Sequence, residues 1–410
     1  MGVGEGFRGG DLPGVTGEET PPGRRRGGHL VEVFGVFRVF TVIGAFSFGG
    51  PAATQGLVYM RVVDQLGWIT EREFLGLMGV VNLLPGPNAV EMAMHIGRRR
   101  AGWGGFVAGG IAFILPGAMC AVLLAAAYVR YGDTPSAESV LYGVKPVVIA
   151  VTGWSVLRLA KGAKPSVLRV SVMAMALVAY LLGINETVVL ATAGALMLIL
   201  RRRSEYRSGR APGAGLALIP FWPAELSARL APRSDVPLDQ VLAVFLKAGA
   251  LMFGGGAVLF AVLRTEVVIN QGWLSEAELL EAITIGQVTP GPILTTATFI
   301  GYLLAGGAGA AVATAAALVP SFVLMTLAGP LLRLIARSTA ATAFLDGITL
   351  AAIGVVGAVT VDLAAGAIVD PLTTLVAVCT AAIMLWRPSL ALLLLAAGSL
   401  VGLASGFLVL

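Results

Sequence analysis

Charge is scarce in this chain. Asp, Glu, Lys and Arg make up 12% of its 410 residues, against about a quarter in a soluble domain. A sequence this poor in charge cannot cover a water-facing surface of such size, so it reads as membrane-embedded. Histidine is scarcer still, with only His29 and His95. No HExxH, GxSxG or GxxxxGK string is present, so zinc-protease, serine-hydrolase and P-loop chemistry have no footing. The two cysteines, Cys120 and Cys379, lie in apolar stretches and read as small core residues. They have no metal-ligand spacing, so no metal and no cofactor is expected, and enzymatic activity is not. The first 28 residues are rich in Gly, Pro and Arg and lack the apolar core of a signal peptide. Residues 1–30, with His29 among them, are expected to be a disordered tail.

Apolar residues fill 57% of the chain, and 54 residues are glycine, which suits helices packed closely in lipid. Stretches long enough to span, at about 20 residues each, fall near 34–58, 73–97, 103–129, 138–160, 166–183 and 186–200. After a polar stretch they resume near 239–262, 276–302, 307–332, 342–363, 371–386 and 389–408. Basic residues sit in short runs at segment ends, namely Arg24–Arg26, Arg98–Arg100 and Arg201–Arg203. This is the positive-inside pattern of a multi-pass protein. No aromatic residues interleave with them, so no nucleic-acid partner is expected.

The second half repeats the first. Adding 205 carries Phe40, Gly44, Ala45, Phe48, Gly49, Gly50 and Ala52 onto Phe245, Gly249, Ala250, Phe253, Gly254, Gly255 and Ala257. It also carries Trp68 onto Trp273 and Pro85-Gly86-Pro87 onto Pro290-Gly291-Pro292. Beyond one dropped residue, adding 204 carries Gly97, Ala101, Gly102, Gly105, Pro116 and Gly143 onto Gly301, Ala305, Gly306, Gly309, Pro320 and Gly347. The expected organisation is a tail at 1–30, a repeat at 31–200, a polar linker at 201–238 and a second repeat at 239–410. Arg98–Arg100 become Tyr302, Leu303 and Leu304, while Arg264, Arg333, Arg337 and Arg387 fall at the other set of loops. Such a swap of charge bias favours inverted repeats. Inversion needs an odd number of crossings per half, which a count of six does not give.

Four breaks carry the chemistry. Proline removes a donor and clashes with the preceding turn, so each Pro-Gly-Pro interrupts its segment. Segments 73–97 and 276–302 are therefore expected to be re-entrant or broken. Pro87 and Pro292 suit the first position of a new helix, whose free N–H groups and positive end would face an anion. Paired broken helices are the usual sequence pointer to a transporter's site. Phe48-Gly49-Gly50 and Phe253-Gly254-Gly255 form a second pair of breaks, where glycines allow a nest of N–H groups. Glu91 and His95, four apart on one helix face, are candidates for a proton-coupling pair. Lys247 and Lys145 either complement an anion or snorkel to the interface. Arg38 reads as an interfacial anchor, and Asp346 and Asp362 as possible cavity residues. The candidate substrate contacts are Gly49, Gly50, Asn82, Pro85, Gly86, Pro87 and Asn88 in the first half. In the second they are Lys247, Gly254, Gly255, Gln287, Thr289, Pro290, Gly291, Pro292 and Thr295.

These strings resemble the chromate transporter family. The resemblance rests on FSFGGP (46–51), the Trp68 region, LLPGPN (83–88), EMAMHIG (91–97), GVKPVVIA (143–150), GALMFGGGAV (249–258), GQVTPGP (286–292) and TATFIGYLLAG (296–306). It covers roughly residues 34–160 and 240–360. It implies an all-α polytopic fold of two antiparallel halves that exports chromate from the bacterial cytoplasm without ATP hydrolysis, with sulfate as a related oxyanion. The chain departs from the family pattern where Val42 stands for a Lys common before the first Phe-Gly-Gly. A His near Thr54 and acidic residues near Met60 and Arg61 are also missing. The resulting expectation is an oxyanion exporter in the bacterial inner membrane, partnered by lipid, with a homodimer left open. The alternatives are a carrier for sulfate or another anion, and, from a different class, an intramembrane enzyme or assembly factor using Glu91 and His95. The lack of a second catalytic partner weighs against the latter.

Overall fold

A helix satisfies its backbone donors and acceptors within one segment, which is why lipid-embedded chains favour it. Every regular element among the described residues is helical. The computed structural model describes residues 26–47, 51–81, 86–132, 134–163, 166–207, 236–252 and 258–409.

Seven helices of the first half recur in order in the second. α1 (Arg26–Ala45) corresponds to α8 (Leu238–Ala250), and α2 (Pro51–Tyr59) to α9 (Val258–Leu263). Both α2 and α9 run on into a π-helical turn, Met60–Gln65 and Arg264–Asn270. α3 (Glu71–Val81) corresponds to α10 (Glu276–Val288), α4 (Asn88–Tyr131) to α11 (Thr295–Arg337), and α5 (Pro135–Gly162) to α12 (Thr339–Ala367). α6 (Val167–Leu181) and α7 (Glu186–Arg207) correspond to α13 (Pro371–Trp386) and α14 (Ala391–Val409). The backbone repeats in detail. Gly67 and Gly272 have φ of 57° and 62°, and Gly102 and Gly306 have 59° and 60°. The start signals repeat as well. The Thr70 and Ser275 hydroxyls accept from the N–H of Glu73 and Glu278, whose carboxylates accept in return from the N–H of Thr70 and Ser275. Each is a capping box, a first-turn arrangement that costs about 1 kcal/mol to remove.

α4 and α11 are each two antiparallel arms. Helical geometry fails at Ala101 (φ −135°, ψ 28°) and Gly102, and again at Ala305 (φ −150°, ψ 33°) and Gly306. The arms then fold back on each other. A Cβ on Gly97 would strike the Gly105 carbonyl and one on Gly105 the Gly97 carbonyl, and Gly301 and Gly309 repeat the contact. The Thr298 and Thr314 hydroxyls bond across the second hairpin at 2.7 Å. At 1.5 Å per residue the first arm, 88–100, is about 20 Å long. That is short of a hydrocarbon core of about 30 Å. The second arm, 103–131, is about 43 Å long and crosses it. α3 approaches from the same face to which the first arm returns, since Glu73 pairs with Arg99 at 2.8 Å and Arg100 lies over Trp68. The described residues 73–81 and 86–97 thus lie as two short arms that end at the same face, with Gly86 and Pro87 at the far end of the second. In the second half α10 packs on the first arm of α11, where a Cβ on Gly286 would strike the Thr296 hydroxyl.

The two halves are interlocked. α6 and α7 pack on α12 of the other half, and α13 and α14 pack on α5. Glycines make these contacts close: Gly354 lies on the Met173 carbonyl, Gly347 on that of Ala193, and Gly143 against Gly398 and Gly402. α5 and α12 cross antiparallel, with Gly153 opposite Thr360 and Val156 opposite Gly357. Four of the described helices are long and apolar enough to cross a bilayer: α4, α5, residues 295–327 of α11, and α12. Two boundaries differ from the sequence expectation. The chain is helical from Arg26, and His29 belongs to α1, close to Gly102 and Gly104, rather than to a disordered tail. α7 also continues to Arg207, past the expected linker boundary at 200.

Candidate functional site

Each Pro-Gly-Pro turn is bonded to the opposite half. The Gly86 N–H donates to the Met252 carbonyl at 2.7 Å, and the Gly291 N–H donates to the Ser47 carbonyl at 2.9 Å. Ser47 and Met252 are the last described residues before the two Phe-Gly-Gly strings. Both glycines hold positive φ, 152° at Gly86 and 103° at Gly291, which only glycine adopts without strain. Gly49, Gly50, Asn82, Pro85, Gly254 and Gly255 lie outside the described residues.

At the first turn Pro87 caps α4 with extended backbone (φ −78°, ψ 95°), and the helix opens at Asn88, which is half-buried. Pro87 therefore sits one position before the helix rather than at its first residue. Its carbonyl takes the Val90 N–H at 2.8 Å. One turn on, Glu91 is fully buried and both of its carboxyl oxygens lack a hydrogen-bond partner. Glu91 is therefore not hydrogen-bonded to His95, which occupies the next turn. A Cβ on Gly86 would strike both Glu91 Oε1 and Ser321 Oγ, so these oxygens flank the turn from opposite halves. Ser321 is fully buried and also unpartnered.

At the second turn α11 opens at Thr295, later than the expected start at Pro292. The chain between them winds tightly, with N–H bonds from Thr295, Thr296 and Ala297 back to Pro292, Ile293 and Leu294. Thr289 and Thr295, both buried, bond to each other at 2.8 Å. Thr289 Oγ1 also donates to the Gly286 carbonyl at 2.8 Å, closing the end of α10. Gln287 Nε2 donates to the Thr152 hydroxyl of α5 at 3.4 Å. Gly117 of α4 takes the place that Ser321 has at the first turn, since its Cβ would strike the Pro290 carbonyl. The Ser47 hydroxyl donates to that of Thr54 at 2.7 Å.

Both candidate lysines are held in ion pairs. Lys247 Nζ lies 2.5 Å from Glu266 Oε1, and Lys145 Nζ lies 2.8 Å from Glu281 Oε1. Asn270 adds a bond to Glu266, and Tyr128 one to Glu281. Asp346 pairs with Arg169 at 2.7 Å, and Arg38 is exposed on α1. A cavity of about 540 Å³ is lined by Lys145, Arg264, Glu276, Leu280 and Asp362. Arg264 bridges Glu276 and Asp362 there, at 2.7 and 3.2 Å. No residue of the described turns lines that cavity.

Sequence reasoning missed Ser321, Gly117, Met252 and Ser47. Ser321 and Gly117 had a signal, since they follow Pro320 and Pro116, themselves a matched pair of the repeat. The sequence model of the chromate transporter family matches residues 34–199 and 240–403. The chromate transport protein of Cupriavidus metallidurans is 32% identical over 371 residues, covering 89% of this chain and 91% of that protein. A probable chromate transport protein of Synechococcus elongatus is 32% identical, over 78% of this chain and 82% of its own. The chromate transport protein of Pseudomonas aeruginosa is 30% identical over 80% of each. No solved structure matches the chain. With both halves matched, and with similarity to transport proteins along most of its length, this multi-pass chain belongs to the chromate transporter family and is a transporter, not an enzyme.

Proposed function

We propose that the chain exports chromate from the bacterial cytoplasm as a secondary transporter, with its substrate site between the four helix breaks. The observation that carries this reading is the reciprocal pair of bonds from Gly86 to Met252 and from Gly291 to Ser47, which draws each Pro-Gly-Pro turn to the chain preceding the opposite Phe-Gly-Gly string. Re-entrant tips near mid-depth aim positive helix ends at an anion. Buried hydroxyls at Thr289 and Thr295 give the second turn a polar lining suited to a tetrahedral dianion. Lys145 and Lys247 are neutralised by Glu281 and Glu266, so the site binds through dipoles and releases readily. Both repeats come from one chain, so the site needs no second copy.

The repeats, 31–200 and 239–410, are read as inverted. Antiparallel crossing of α5 and α12 supports this. So does the edge-on contact of Phe106 with Phe322 at 5.5 Å, positions that do not correspond under the repeat. Arg98, Arg99 and Arg100 are exposed at the first hairpin turn, which supports a cytoplasmic position for that face. The test is uptake of labelled chromate into everted membrane vesicles. Uptake above that of vesicles lacking the protein is expected, with excess sulfate reporting selectivity. No uptake with the protein present in the membrane overturns the reading, and preferred uptake of sulfate converts it to a sulfate carrier.

A further inference from the structure

The two Pro-Gly-Pro strings correspond in the repeat, but their surroundings differ in chemistry. Beside Gly86 stand a carboxyl, Glu91, and a hydroxyl from the other repeat, Ser321. Adding 204 takes Glu91 to Thr295, and subtracting it takes Ser321 to Gly117, so the second turn has no titratable group at these positions. Resting on the central-site reading above, we propose that Glu91, closed over by Ser321, is the proton-carrying group of the central site, so that coupling at that site runs through the first turn.

Two observations meet here. Glu91 is fully buried with no donor to either oxygen, and Ser321 is fully buried with an unpaired hydroxyl. A carboxylate with neither donor nor counter-ion is not sustained away from water. One proton removes the charge and creates an O–H donor beside Ser321 Oγ. The surrounding charges leave Glu91 to act alone. On its own arm are His95, one turn on, and Arg98 and Arg99 towards the surface. α1, packed along α4, carries His29, Glu32 and Arg38. On α3, Glu73 is paired with Arg99, and on α8, Lys247 is paired with Glu266. None of these bonds to Glu91.

Because the hydroxyl belongs to the other repeat, movement between repeats opens or closes the proton's site. When Ser321 withdraws and water enters, the O–H bond at Glu91 breaks and the proton passes to water. When Ser321 returns, Glu91 must have taken one up again. Opening and protonation are then linked in the manner of any ligand that favours one state.

The test uses purified protein in liposomes with two readouts. Chromate counterflow needs only binding and reorientation, while net transport driven by an imposed pH gradient needs coupling. Glu91→Gln should retain counterflow, lose pH-driven net transport and flatten the pH profile. Ser321→Ala should retain counterflow and displace the midpoint of that profile, and Glu91→Asp should partly restore coupling. Retained pH-driven transport in Glu91→Gln overturns the proposal, as does a sodium gradient replacing the pH gradient in the unaltered protein. If Glu91→Gln does not fold, an unmoved pH profile in Ser321→Ala overturns it. No counterflow in the unaltered protein instead removes the oxyanion reading and this proposal with it.

Discussion

Replacing Lys247 separates a structural cation from a substrate-binding one. Its ammonium lies 2.5 Å from Glu266, and the two side chains are 17% and 5% exposed. Lys247→Met leaves a buried carboxylate with Asn270, at 3.2 Å, as its remaining donor. Breaking one side of a buried pair costs about 3–5 kcal/mol, whereas replacing both partners is close to neutral. At 1.4 kcal/mol per decade, the single change lowers the folding equilibrium by roughly a hundredfold or more. Lys247→Met with Glu266→Gln should recover most of that loss. The assay is the folded fraction after heating in detergent, measured over the full double-mutant cycle, with chromate transport measured on the same samples. A stable double variant that still transports makes the pair structural. If Lys247→Met alone is as stable as the parent, the pair contributes nothing and the magnitude argued here is wrong. Subtracting 205 from Lys247 and Glu266 gives Val42 and Arg61, so the first repeat lacks both partners together, as a pair that acts as a unit requires.

Three further outcomes are expected. Asn88→Asp places a negative charge at the opening of α4, where the helix tolerates it at a gain of about 0.3–1 kcal/mol; expression should stay normal while chromate transport collapses, Asn88→Ser should be far milder, and transport by Asn88→Asp at the parent rate would reduce the turn to a packing kink. Single cysteines at Arg100 and Gly307, in a chain without Cys120 and Cys379, should label from opposite faces of the membrane, and labelling from one face would make the repeats parallel. Gly143→Val drives a side chain into Gly398 and Gly402, so thermal stability should fall by about 1–3 kcal/mol; an unchanged melting curve would mean that the α5–α14 contact opens freely.

The duplication and the Pro-Gly-Pro breaks were legible because proline, glycine and tryptophan at fixed spacing leave marks that apolar drift does not erase. The hairpin turns at Ala101-Gly102 and Ala305-Gly306 were legible too, as repeat positions and as the gaps between consecutive apolar stretches, 73–97 then 103–129 and 276–302 then 307–332. Partners of buried charges were not legible. Lys145 meets Glu281 and Lys247 meets Glu266 through the packing of different elements, which linear spacing does not encode. Nor was the crossed packing of α6 and α7 onto α12, because lipid-facing helices are apolar on every side and carry no stripe to name the neighbour.

That crossed packing has a consequence for synthesis. α6 and α7 emerge from the ribosome long before α12, the helix against which Ala193, Met173 and their neighbours close. Domains of multidomain chains commonly finish one after another from the N-terminus. Here the outer hairpin of the first repeat waits in lipid, its seam unfilled, until the second repeat brings the glycines of α12 against it. The last helix, α14, then closes onto α5, which was made in the first half of the chain. Completion of either repeat is therefore the same event as completion of both.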